Sequence, residues 1–321
     1  MSTYLWIMIA GSVLVFALYG LRCARAERVP VLRKRAWLTA LLAFVFSAMF
    51  GTVLARAGYA LLTQELDLEE GFEALEYLLE FDINVLSFFC GAVGVILGVA
   101  LANRLVRKGA VFAGLDAFAP FGALLAALFR LGELFFGSYG LGRLLPEGNP
   151  LTFFPFSVAI SSAGGYEYHA WAVCVLSAAF ALFWACYAFF RLRGFGRTGM
   201  NFTAALFFLS LTQVLCESLR ARGIFWLFVH TEELLCTLVL LGVMLFWILR
   251  SGRGLPFPRR WWPLGVLILG ASLLVGVEFA VDGKYFSMPE PVCYLIMAAV
   301  LAAIGFAGYA AAKRWNREGS R

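Results

Sequence analysis

The stretch RLVRKGAVFAGLDAFAPFGALLAALFRLGELFF, Arg104–Phe136, decides the fold. Arg104, Arg107 and Lys108 precede 26 residues, Val111 to Phe136, in which Asp116, Arg130 and Glu133 are the only charges. That run exceeds the roughly 20 residues a helix needs to cross hydrocarbon, and a basic cluster at one end marks a cytoplasmic flank. The rest of the chain agrees. Of 321 residues, 62% are hydrophobic and 14% charged, with 32 Phe and 9 Trp, and the mean hydropathy is +0.84. Soluble domains carry about a quarter charged residues. A soluble enzyme, a disordered chain and a collagen-like chain are therefore excluded.

Working outward, hydropathy predicts nine spans: Thr3 to Leu21, Trp37 to Leu62, Ile83 to Asn103, Val111 to Phe136, Tyr166 to Phe190, Met200 to Leu219, Thr231 to Leu249, Pro263 to Val281 and Pro291 to Ala312. The connections after the first, third, fifth and seventh, and the C-terminal tail, hold 20 of the 26 Lys and Arg residues. Every second connection is basic, so the expectation is an all-α polytopic bundle with its N-terminus outside and its C-terminus cytoplasmic. The first segment has its basic cluster after the apolar run and reads as a permanent span, not a signal peptide. Nucleic-acid binding has no support, because the net charge of +6 is accounted for by topology. Six of the seven Cys fall in predicted spans and none in an outer loop, so neither a disulfide framework nor a metal site is implied, and no cofactor motif appears. Between Gln64 and Asp82 lie eight acidic residues with Phe72, Leu75, Leu78 and Leu79 at helical spacing. This suggests an amphipathic helix on the outer surface, either a solvated cap or a gate.

The charges left at membrane depth are informative, since each costs about 3 kcal/mol unless it meets a partner or water. Arg56, Arg130 with Glu133, Glu167, Glu217 with Arg220, Glu232 with Glu233, and Glu278 all fall toward the outer ends of their spans, with Asp116 the main exception. That segregation points to a polar cavity open to the outside. Arg guanidiniums there suit a phosphodiester, since their planar forks match phosphate oxygens. An anionic phospholipid headgroup is the natural partner. His169, two residues after Glu167, is a candidate proton acceptor or an interfacial hydrogen-bonding group. Gly91, Gly94 and Gly98 mark close helix packing.

The segment Leu86–Pro146 resembles the bacterial prolipoprotein diacylglyceryl transferase family. It carries SFFCG at Ser87–Gly91 where the family reads SFHGG. Asp116 with Ala119-Pro120 is similar to its Asp-x-x-Ala-Pro, Phe129-Arg130-Leu131-Gly132-Glu133 to its Gly-Arg-x-Gly-Asn core, and Gly137 with Tyr139-Gly140 to the continuation. Tyr4–Gly11, Gly51–Arg56, Tyr166-Glu167 and Glu217 with Arg220 extend the likeness over residues 4–249. The resemblance implies a seven-span core, residues 1–249, to which residues 250–321 add two spans and a basic tail. It implies a plasma-membrane enzyme that moves diacylglyceryl from phosphatidylglycerol to the lipobox Cys thiol of a prolipoprotein. Arg130 and Arg220 would then clamp the phosphate with help from Arg56 and Gly132, Glu167 or Glu217 would orient the guanidiniums, and His169 or Glu133 would take the thiol's proton. The chain departs from the family at its His, here Phe89, at its Asn, here Glu133, and at the Tyr and first Arg of its late motif, here Leu209 and Gln213. A relative that binds phospholipid or lipoprotein without transfer is the alternative. A small-molecule transporter is a third, for which charges spread over both leaflets would be expected.

Overall fold

A computed structural model of the protein describes residues 3–26, 30–63, 86–107, 110–135, 156–162, 165–170, 173–190, 197–220, 225–226, 229–251, 256–281 and 289–318. It also describes residues 141, 142, 144, 145, 148, 150, 152 and 153. Among the described residues, nine long helices run in chain order: α1 Thr3–Ala26, α2 Pro30–Thr63, α3 Phe88–Val106, α4 Val111–Gly132, α5 Val173–Phe190, α6 Met200–Ser218, α7 Thr231–Arg250, α8 Phe257–Val281 and α9 Glu290–Glu318. All nine are long and apolar enough to cross a membrane. The chain is a multi-pass helical bundle. The expected acidic helix at 64–82, and the part of the third span before residue 86, lie outside the described residues.

Two apolar cores fill the bundle. Val15, Phe16, Tyr19, Ala43, Val99, Phe118 and Leu125 join α1–α4, while Phe207, Trp247, Leu267, Met297 and Ile304 join α6–α9. The C-terminal pair α8–α9 thus shares its core with α6 and α7. Gly94 and Gly98 lie on α3 where it crosses α2. A Cβ at either would collide with backbone atoms of Phe50 or Ser47, so glycine is what lets the two helices touch. Trp247 is fully buried, and its indole N–H donates to Thr203 Oγ1 at 3.0 Å.

Among the described residues, two helices carry a proline in their interior, and in each the carbonyl four residues earlier loses its helical donor. Pro120 in α4 releases the Asp116 carbonyl, which accepts from Asn201 Nδ2 at 2.9 Å. The Asp116 carboxylate meanwhile accepts from the Gly199 N–H and, at 2.8 Å, from the Phe202 N–H, closing the N-terminus of α6. Asp116 is a cap donated by a neighbouring helix, which accounts for the one charge that stands apart from the rest. Pro263 releases the Arg259 carbonyl in the same way, and Arg314 Nη1 takes it at 2.6 Å. The eighth span therefore starts at Phe257 and not at Pro263.

The fold is not purely helical. Strands β1 Ser157–Ser162 and β2 Gly165–Ala170 form an antiparallel hairpin, and β3 Phe225–Trp226 pairs with β4 Val229–His230. The expectation that the fifth span starts at Tyr166 is corrected, because that helix begins at Val173. The sequence GYEYHA alternates polar and aromatic side chains with the period of a strand, and Gly165, at φ 129°, accepts the backbone turn that opens it.

Candidate functional site

Three helix ends meet at one end of the bundle. Arg130 closes α4 and Glu133 follows in a short 3₁₀ turn, Glu133–Phe135. Glu217 and Arg220 end α6, and Glu232 sits in the first turn of α7. Arg130 Nη1 donates to Glu133 Oε1 at 2.7 Å, and Arg220 Nη2 to Glu133 Oε2 at 3.1 Å. Arg220 Nε lies 3.0 Å from Glu217 Oε2, and Arg130 Nη2 donates to Glu217 Oε1 at 2.8 Å. These four contacts close a ring of alternating charge: Arg130, Glu133, Arg220, Glu217. All four residues are buried.

A fifth group joins the ring from outside. Glu232 Oε2 accepts from Arg130 Nη2 at 3.2 Å, while its Oε1 accepts from the Phe89 N–H at 3.3 Å and the Ser87 hydroxyl at 3.4 Å. Glu232 so ties α7 to the N-terminus of α3, whose cap is Ser87 itself. Gln213 Nε2 donates to Glu217 Oε1 at 3.0 Å, and Gln213 Oε1 accepts from Ser177 Oγ at 2.9 Å, linking α5. The Arg130 guanidinium also stacks on Phe88, 3.8 Å from the ring centroid. Three carboxylates face two guanidiniums, leaving one formal negative charge. Burial alone would lower the Arg220 pKa, but the adjacent Glu133 and Glu217 carboxylates outweigh it and hold the guanidinium above its ordinary value.

Not every expected site residue joins. Glu167 is half exposed on β2, 4.0 Å from His169, and orients neither arginine; Glu133 and Glu217 do that. It was expected at a helix end, and its place in the hairpin turns it away. His169 Nδ1 lies 3.1 Å from the Gly142 carbonyl, and Gly142 in turn bridges the Arg220 backbone, so His169 supports the connection behind the ring. Gly132 faces Tyr4, whose ring a Cβ there would meet at 2.9 Å, so its role is close packing of α4 on α1. Arg56 is buried beside Ala55, whose carbonyl receives the Ser87 N–H at 2.9 Å, which places it at the same end of the bundle. Glu233, 4% exposed, sits beside Glu232 in the first turn of α7.

The sequence places Glu232 among the outer-end charges and Gln213 as a departure from the family, but gives neither a role at the site; the structure makes both partners of the ring. Among the described residues, no group of three or more His, Cys, Asp or Glu side chains could hold a metal ion. No protein-family model matches the chain, no curated protein matches it, and no solved structure matches it.

Proposed function

We propose that the chain is a bacterial plasma-membrane relative of the prolipoprotein diacylglyceryl transferases. In this reading its ring end faces outside, its basic end lies in the cytoplasm, and it engages an anionic phospholipid such as phosphatidylglycerol, or a lipobox segment, without catalysing transfer. The observation that carries this reading is the closed Arg130–Glu133–Arg220–Glu217 ring. Support for the kinship comes from convergence. Positions 89, 130, 133, 213, 217 and 220, which the resemblance draws from separate stretches, are linked around Arg130 by hydrogen bonds and ion pairs.

Transfer requires guanidiniums free to receive charge as the phosphoglycerol departs, and a base for the thiol. Here both Arg130 Nη atoms are held by carboxylates, and Glu133, one of the two acids that bridge the arginines, occupies the position of the family's neutral Asn. Phe89 supplies a backbone N–H where the family has His. Arg130 Nε–H is buried without an acceptor, a single donor that suits one bond to a headgroup oxygen and not a fork.

The test is a purified-protein assay with phosphatidylglycerol and a lipobox peptide, paired with native mass spectrometry of bound lipid. The expected result is bound phospholipid with no diacylglyceryl thioether product. Robust turnover that vanishes in His169→Ala or Glu133→Gln would overturn this reading in favour of an active transferase with a relocated base.

A further inference from the structure

The two ends of the bundle satisfy their charges differently. At the ring end, Arg130 and Arg220 meet carboxylates. At one corner of the other end, four arginines come from three segments: Arg197 ahead of α6, Arg259 and Arg260 at the start of α8, and Arg314 near the end of α9. Two of them are fixed in place by backbone. Arg314 Nη1 donates to the Arg259 carbonyl that Pro263 releases, and its guanidinium lies over Trp262 at 5.7 Å. Arg197 Nη1 donates to the Trp315 carbonyl at 2.8 Å and lies over the Trp315 ring at 5.1 Å. Arg260 lies over Trp261 at 5.6 Å.

Among the side chains the structure describes, which do not include that of Glu318, no carboxylate pairs with any of these four arginines. The groups left unsatisfied at this corner are donors. Arg260 Nε–H and Trp315 Nε1–H are both buried without an acceptor, and Trp315 is 3% exposed. Cations without anions, and donors without acceptors, call for an oxyanion. Their depth, where α8 and α9 leave the apolar layer beside tryptophans, calls for one carried by an amphiphile. Two helical turns farther along α8, Leu269 is 73% exposed and offers a surface for an acyl chain.

We propose that the corner between the start of α8 and the end of α9 binds the phosphate of an anionic phospholipid in the leaflet at the basic end of the bundle. Arginines that merely snorkel lose side-chain entropy when a lipid orders them. Arg197 and Arg314 are already held by carbonyls and rings, so less of that cost remains on binding. The site does not depend on the reading of the ring, since the two lie at opposite ends of α6, roughly 28 Å apart at 1.5 Å per residue.

The test is native mass spectrometry of the full chain in a neutral detergent, titrated with dioleoyl-phosphatidic acid against dioleoyl-phosphatidylcholine. The wild type should prefer the anionic lipid. Arg260→Gln with Arg314→Gln should weaken that binding about ten-fold, as expected when two charge-assisted contacts are lost, whereas Arg25→Gln with Arg104→Gln, exposed arginines at the same end, should change it less than about two-fold. Because Arg314 also supports the fold, Arg260→Gln is measured alone, with an expected loss of about three-fold and unchanged melting in phosphatidylcholine. The proposal is overturned if the wild type shows no preference, if both double variants weaken binding equally, or if Arg260→Gln has no effect. Competition by inorganic phosphate as effective as by the lipid would also overturn it, since the ligand would then be a free oxyanion.

Discussion

Replacing Arg130 by Lys keeps the charge and removes the fork, so it separates Coulombic attraction from geometry. Arg130 reaches Glu133 from one Nη, Glu217 and Glu232 from the other, and stacks on Phe88. A lysine ammonium is a single nitrogen with three hydrogens and cannot span that set. At least one buried carboxylate loses its donor, at about 1.5–3 kcal/mol, and the stacking contact adds about 0.5–2 kcal/mol. A loss near 3 kcal/mol corresponds to a fall in Tm of roughly 6–10 °C for a chain of this size. The assay is thermal unfolding in a mild detergent, with bound phospholipid measured on the same sample. The ring would be refuted as Arg130's resting arrangement by an unchanged Tm together with a sharp loss of phospholipid binding, because Arg130 would then be facing lipid and not Glu133.

Glu133→Gln and Glu232→Gln each remove one formal negative charge from the cluster, but Glu133 bonds both arginines and Glu232 only one, at 3.2 Å. Glu133→Gln should therefore destabilise more, by about 2 kcal/mol, and the reverse order in a denaturation series would contradict the ring. Asp116→Ala should lose about 1–2 kcal/mol through uncapping of α6, seen as faster amide exchange at Gly199 and Phe202; unaltered exchange there would remove Asp116 from the cap. For orientation, Ser161→Cys in the β1–β2 hairpin should react with an impermeant thiol reagent added outside intact cells stripped of outer barriers, and Arg104→Cys should not; the opposite pattern would invert the topology.

The spans were legible because apolar length and alternating basic connections are local properties of the chain. The start of the fifth span was not, since Tyr166 and Tyr168 suit the interfacial end of a helix as well as a hairpin, and only the partner strand Ser157–Ser162 settles which. The start of the eighth was obscured differently. Pro263 looks like a first helical residue, and what lets the helix continue back past it is Arg314, 55 positions from the carbonyl it caps. Arg130 and Glu133 stand three apart, a spacing that puts them on one helix face, and the glycines of α3 mark close packing without naming the helix that packs there. Closure of the ring by Glu217, Arg220 and Glu232 depends on how three helix ends register, which no local pattern encodes.

Asp116 and Pro120 also bear on the order in which the protein is made. The cap on Gly199 joins residues 83 apart, so α4 is synthesised well before the amides that Asp116 will hold exist. Until then the helix carries a carboxylate and an extra bare carbonyl on one face, and hydrocarbon can satisfy neither. Water and headgroups must serve in the interval, which keeps the Asp116 end of α4 at the bilayer surface. Only when the first turn of α6 arrives can that end be covered by protein, so the settled depth of an early span is fixed by a later one, and α4 is not finished when it first crosses the membrane.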